Sequence, residues 1–210
     1  MTERTGHRAF TIDNTALVLV DHQVGTIGWA GELHPDERDQ LKMWTRVITR
    51  FASSAGIPIV LTSSLETEAQ GPLLPEFADI VPDAYEKRIK RVGVIDAWDD
   101  PALVAAVRAT GRTNLLMGGL TTDVCLVPPA LSATAEGFTV VALMDISAAC
   151  TKIGAQNSRD LLAAAGIEMM TVTPMITAML GDYTNPASQG FFEAMGIEAV
   201  YAAFDRGNLR

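Results

Sequence analysis

The sequence predicts an α/β fold in which helices cover both faces of a parallel sheet. Three observations carry this. Short apolar runs of strand length recur at residues 16–21, 57–63, 114–117, 139–145 and 167–173. Segments of helical character alternate with them. The runs are continuously apolar instead of alternating with polar residues, as expected of strands buried on both faces.

The elements follow in order. Residues 16–21 (ALVLVD) form an apolar run that ends in a carboxylate, Asp21. Residues 38–56 place Leu41, Trp44, Val47, Ile48 and Phe51 at helical spacing, and Gly56 supplies a stop. A second strand is expected at 57–63. The segment 101–111 starts with Pro101 and ends with Gly111, the asymmetry typical of a helix. The run at 114–117 reads as a strand, 129–137 as a helix closed by Gly137, 139–145 as a strand, 158–166 as a helix and 167–173 as a further strand. The whole chain, 1–210, fits one domain. Residues 182–210 extend beyond the last expected strand. This tail carries Phe191, Phe192, Met195, Ile197, Val200, Tyr201 and Phe204. Such a segment either packs on its own domain or forms an interface between copies.

Composition narrows the function. Of the residues, 48% are hydrophobic and 20% charged, enough for a large core, and no run approaches membrane-span length. The net charge of −9 argues against a nucleic-acid partner, which usually requires a basic patch. The opening MTERTGHRAF has no apolar stretch of signal-peptide type. A soluble, cytoplasmic protein is expected. Cys125 and Cys150 do not make a disulfide framework and read as free thiols. His7, His22 and His34 are scattered, which gives a metal site little support.

In parallel sheets, ligands bind beyond the carboxyl ends of the strands. That rule selects Asp21, residues 63–66 and residues 119–125. Cys150 lies five residues beyond Asp145 and is not selected. In GGLTTDVCLVPPAL, the thiol of Cys125 falls where a strand gives way to a helix. Pro128 and Pro129 place it no deeper than the opening turn, because proline is resisted further in. Unpaired N–H groups there lower a thiol pKa and can stabilise an oxyanion. The same cysteine also fits a small buried hydrophobe. Asp21 reads as a loop cap or as a catalytic base, and the cap is somewhat favoured because many parallel strands end in aspartate.

Four ordered segments resemble the isochorismatase-like cysteine hydrolases, and within them the YcaC-like branch: LVLVDHQVG, TSSLETEAQGPLLPE, IKRVGVIDAWDDPALVAAVRATGR and LLMGGLTTDVCLVPPALSATAEGFTVVALMDIS. The resemblance covers roughly residues 11–177. It implies a three-layer α-β-α fold on a six-stranded, mostly parallel sheet. It implies a triad of Asp21, Arg91 and Cys125, a cis peptide between Leu120 and Thr121, and an oxyanion hole made by the Thr121 and Cys125 N–H groups. Gln23, Ser64, Glu66, Trp98 and Thr122 are the accompanying candidates for a substrate pocket. Lys90 is the alternative basic residue. Adjacent strand residues face opposite sides, so one of the pair meets Asp21, and the spacing to AWDD favours Arg91.

The metal-binding histidines of related nicotinamidases have no counterpart in TSSLETEAQG, so neither a metal nor another cofactor is expected. The implied activity is hydrolysis of a small amide or related C–N bond through a thioester-type intermediate. The alternatives are hydrolysis of a non-amide small molecule, as by isochorismatase itself, or a non-catalytic scaffold on the same fold. The implied partners are a small-molecule substrate and further copies of the chain, as a tetramer or octamer. Specificity is expected from the loops at 24–33 and 65–74.

Overall fold

The computed structural model describes residues 5–205, with side chains described to residue 202. The apolar runs become strands β1 (Thr15–Val20), β2 (Ile59–Ser64), β3 (Ile89–Arg91), β4 (Asn114–Gly119), β5 (Thr139–Leu143) and β6 (Glu168–Met170). They form one sheet in the order β3-β2-β1-β4-β5-β6. Each adjacent pair is parallel, so the described sheet is parallel throughout, not merely for the most part. Helices α1 (Pro35–Ser54), α2 (Glu76–Ile80), α3 (Pro82–Glu86), α4 (Pro101–Ala109), α5 (Val127–Ala135), α6 (Lys152–Ala164), α7 (Val172–Leu180), α8 (Ser188–Ile197) and α9 (Val200–Asp205) lie between and after the strands.

Successive strand residues point to opposite faces, and both faces are apolar. Leu17, Leu19, Leu61 and Leu116 join a core with Val47, Ile48 and Phe51 of α1 and Met175 and Ile176 of α7. Ala16, Val18, Leu115 and Met117 join a second core with Leu103 and Val107 of α4 and Ala130 and Ala133 of α5. This two-sided burial produces the continuous apolar runs.

Boundaries differ from the expected ones where side-chain caps decide them. Helix α1 starts at Pro35, before residue 38, because the Glu37 carboxylate accepts the His34 N–H at 2.6 Å. The chain leaves β4 through a π-helical turn, Thr122–Leu126, which runs into α5 ahead of residue 129. Helix α6 starts at Lys152, not 158, capped by Thr151 Oγ1, which accepts the Gly154 N–H at 3.0 Å. The strand expected over 167–173 stops at Met170. The Asp145 carboxylate accepts the Val172 N–H at 3.0 and 3.1 Å and fixes the start of α7 instead.

The tail packs on its own domain. Helix α8 buries Phe191, Ala194 and Met195, and Val200 of α9 joins the same core. Phe191 meets Phe51 of α1 edge-on at 6.3 Å. Glu198 accepts hydrogen bonds from Arg46 (2.6 Å) and Arg50 (2.9 Å) of α1. Phe192 and Ile197 face outward. Phe204 lies outside the described side chains.

Two stability measurements follow. Phe191→Ala should lower the unfolding free energy by about 3–5 kcal/mol in a denaturant titration, and Phe192→Ala by about 0.5 kcal/mol or less. Burial raises the Asp145 pKa from 3.8 to about 6, against the Val172 hydrogen bonds that lower it. The folded state therefore favours the protonated acid. That stabilisation is full below pH 3.8 and is lost as pH rises through about 6. The advantage of Asp145→Asn over wild type should grow by on the order of 2–3 kcal/mol between pH 4 and pH 7 in parallel unfolding titrations.

Candidate active site

The sheet order reverses between β1 and β4, and such a switch point opens a crevice at the carboxyl ends of the strands. A cavity of about 240 Å³ lies there, lined by Asp21, Arg91, Thr121 and Cys125 among others. Local backbone geometry brings these side chains to it. Asp21 has φ +58° at the end of β1, a left-handed conformation that aspartate tolerates better than most residues. Its N–H donates to Thr62 O (2.9 Å), while its carbonyl accepts from Gln23 N–H (2.8 Å) and the Thr26 hydroxyl (2.6 Å). Leu65, just past β2, has φ +45° and also lines the cavity. Strained non-glycine residues of this kind gather at functional sites. Gly119 closes β4 because a Cβ there would come within 2.9 Å of the Cys125 and Leu126 backbone. The next peptide, Leu120–Thr121, is cis.

Arg91 is the last residue of β3 and its side chain is 1% exposed. Its Nη2 donates to both carboxylate oxygens of Asp21. Nε donates to Thr62 Oγ1 at 3.1 Å and Nη1 to Val94 O at 2.9 Å, so the guanidinium is held on every side. Lys90 points the other way, with its exposed ammonium 3.7 Å from Glu66.

The carboxylate of Asp21 also lies near enough to the Cys125 thiol for the two to perturb each other. Burial pushes the Asp21 pKa above its ordinary value, while the Arg91 charge and hydrogen bonds pull it back. Burial likewise pushes the Cys125 thiol well above the usual thiol range, and the neighbouring Asp21 carboxylate pushes it further. Arg91 and a backbone bond to Thr121 offset only part of this. The expectation of a thiol acidified by a helix start is therefore corrected. Beside the Asp21 carboxylate, burial favours the protonated form of this thiol. The Cys125 N–H is also engaged, donating to Thr121 O at 2.6 Å within the π turn. A substrate oxyanion using that donor has to share it or displace that carbonyl.

The remaining candidates divide. Ser64 lines the cavity, whereas Gln23, Glu66, Trp98 and Thr122 do not. The buried amide of Gln23 accepts the Ser64 N–H (2.9 Å) and donates to Ser64 O (2.8 Å) and Gly71 O, so it staples two loops together. Glu66 is consumed by Arg88 (2.7 and 3.1 Å) and the Ser63 hydroxyl (2.7 Å). Trp98 is buried edge-on against Phe138 at 5.3 Å, in the core beneath α4 and α5. Thr122 is buried with its N–H on Ala148 O at 2.9 Å.

Trp29, Leu65, Ile95, Val124 and Cys150 line the cavity without having been singled out as site residues. The first two belong to the loops expected to set specificity. Cys150 is brought in because the chain after β5 runs beside Leu120, bridged at Ala148. Among the described residues, no group of three or more His, Cys, Asp or Glu is placed to hold a metal. His22 is fully buried, with a ring nitrogen 2.8 Å from Ile146 O and its pKa lowered to about 4 by burial.

Asp21, Arg91 and Cys125 thus meet at the switch point of a parallel sheet covered by helices on both faces, an α/β protein with its cavity at the strand ends. The isochorismatase domain model matches residues 15–174, and the chain belongs to that family of hydrolases. Within the family it falls in the YcaC-like branch. It is 36% identical over 173 residues to the probable hydrolase YcaC of Escherichia coli, covering 82% of this chain and 81% of that one. YcaC from Pseudomonas aeruginosa, solved with hexane-2,5-diol and covalent acrylamide, superposes with a TM-score of 0.85 at 32% identity, covering 94% of this chain and 96% of that one. The Escherichia coli YcaC crystal structure, described as an octameric hydrolase of unknown specificity, gives 0.81 at 30% identity, with the same coverage of each chain.

Alkylation rate against pH, followed in a Cys150→Ser background, reads the thiol directly. Asp21→Asn should lower the Cys125 pKa by removing the adjacent negative charge, Arg91→Ala should raise it, and Lys90→Ala should leave it in place. Arg91→Ala should also cost about 3–5 kcal/mol of stability, because it leaves the Asp21 charge buried without a partner.

Proposed function

We propose that this protein is a cysteine hydrolase that cleaves a small amide or related C–N bond, with Asp21, Arg91 and Cys125 as its triad. The observation that carries the reading is the Asp21 carboxylate held between the Arg91 guanidinium and the Cys125 thiol inside one cavity.

The high thiol pKa shapes the mechanism. Cys125 Sγ attacks the carbonyl carbon as its proton passes to Asp21, so no free thiolate accumulates beforehand. The carbonyl oxygen becomes an oxyanion facing the Thr121 and Cys125 N–H groups. Asp21 then gives its proton to the departing nitrogen, and the C–N bond breaks to leave a thioester. Water enters, Asp21 takes its proton, and hydroxide adds to the thioester carbonyl. Collapse expels Cys125 sulfur, which regains its proton from Asp21, and the carboxylic acid leaves. Arg91 keeps the buried carboxylate ionised between turns, and its charge also offsets part of the rise in the Cys125 pKa.

Likeness to the Pseudomonas YcaC, which carries covalent acrylamide, supports a nucleophile able to react with a small electrophile. Likeness to the octameric Escherichia coli protein supports assembly of this chain as a homo-oligomer, which light scattering at micromolar concentration checks; a monomer refutes it. Two free thiols suit a reducing, cytoplasmic setting.

In a screen of small amides, Cys125→Ala should reduce turnover to background while leaving the circular dichroism spectrum unchanged. Asp21→Asn should lower kcat by about 10²–10⁴-fold, the usual reach of a general base. Full activity in purified Cys125→Ala refutes the mechanism.

A further inference from the structure

The cavity discriminates by charge as well as by size. Among the described residues, its only ordinarily charged side chains are Asp21 and Arg91, and these neutralise each other through the guanidinium–carboxylate bonds. Outside the lining, Glu66 is paired with Arg88 and approached by Lys90, and Asp123, in the turn that carries Cys125, is not among the lining residues. No uncommitted cation is available in the lining for a substrate carboxylate, and no uncommitted carboxylate for a substrate amine. The approach is apolar. Trp29 (43% exposed), Ile95 (74%) and Val124 (43%) stand at the mouth, with Leu65 and Val94 further along the wall. Large apolar side chains left this open mark a surface that receives something apolar. At about 240 Å³, the cavity is also below the 300–1,000 Å³ typical of drug-sized ligands.

We infer that the site takes a small, uncharged substrate whose carbonyl sits at Cys125 and whose other substituent is apolar and lies along Trp29, Leu65, Ile95 and Val124. This deepens the hydrolase reading and rests on it for the reaction. It excludes dicarboxylates, amino acid amides and other ionised compounds as good substrates. Moving an ion into a lining with no free counter-charge loses hydration that nothing there replaces.

The test uses the same electrophilic chemistry in three charge states, so it does not need a known substrate. Rate constants for Cys125 alkylation by iodoacetamide, iodoacetate and 2-bromoethylammonium are measured on the full-length Cys150→Ser protein. High salt screens the protein's overall negative charge. Each value is divided by that of the same reagent with 2-mercaptoethanol. The normalised rate of iodoacetamide should exceed both others by about tenfold or more, the discrimination expected from an unpaired buried charge. Ile95→Lys, a change at an exposed position, should raise the iodoacetate value selectively. A charged reagent that matches iodoacetamide in the Cys150→Ser protein overturns the inference.

Turnover of butanamide, succinamate and 4-aminobutanamide separates this inference from the hydrolase reading. If none is cleaved while the labelling order holds, the reaction assignment fails and the charge selection stands. If an ionised amide is cleaved as fast as butanamide, the charge selection fails and the reaction assignment stands.

Discussion

The ion pair between Arg91 and Asp21 is the constraint on which the site depends. Each partner alone would be an expensive charge in a dry interior. Together they fix the ends of β1 and β3 in relation to one another across β2, and Arg91 adds bonds to Thr62 and to the loop that follows β3. Asp21 remains an acceptor because Arg91 opposes the tendency of burial to protonate it. The same carboxylate neighbours the Cys125 thiol. Removing the guanidinium would thus disturb the fold, Asp21 and Cys125 together.

The surrounding architecture serves this pair with ordinary parts. A parallel sheet buried on both faces needs only apolar strands and two layers of helices, and its order opens a crevice without special sequence. Specific residues are required where the chain turns at the strand ends. Asp21 adopts a left-handed backbone, Gly119 gives up a side chain so that the π turn can approach, and Gln23 ties the end of β2 at Ser64 to Gly71. These positions hold Asp21, Arg91 and Cys125 to one geometry while the helices outside them need only remain apolar on their inner faces.

Much of this was legible in the sequence, and what was not has physical causes. Strands β1, β2, β4 and β5 were visible because two-sided burial gives each a continuous apolar stretch. Register could be argued for Lys90 and Arg91 because neighbours on a strand must diverge, and the structure puts Arg91 on Asp21. The starts of α1 and α6 were misplaced where Glu37 and Thr151 cap them, and the strand expected over 167–173 was cut short where Asp145 reaches α7. Trp98 and Glu66 have chemistry suited to a pocket, but Phe138 and Arg88 claim them from elsewhere in the chain. Cys150 was passed over because its place at the cavity follows from how the loop after β5 closes against Leu120. Local pattern also gave the wrong sign for the Cys125 pKa. It registers the nearby helix start and cannot register a carboxylate that arrives from residue 21.

A thiol that rests protonated has a consequence beyond turnover. Peroxides and stray alkylating agents react with thiolates, and the ladder from sulfenic to sulfonic acid begins there. Burial and the Asp21 carboxylate both disfavour the Cys125 thiolate and so keep that sulfur off the ladder. Cys150 is the more exposed sulfur at the same cavity, so oxidative damage to the protein should register there first.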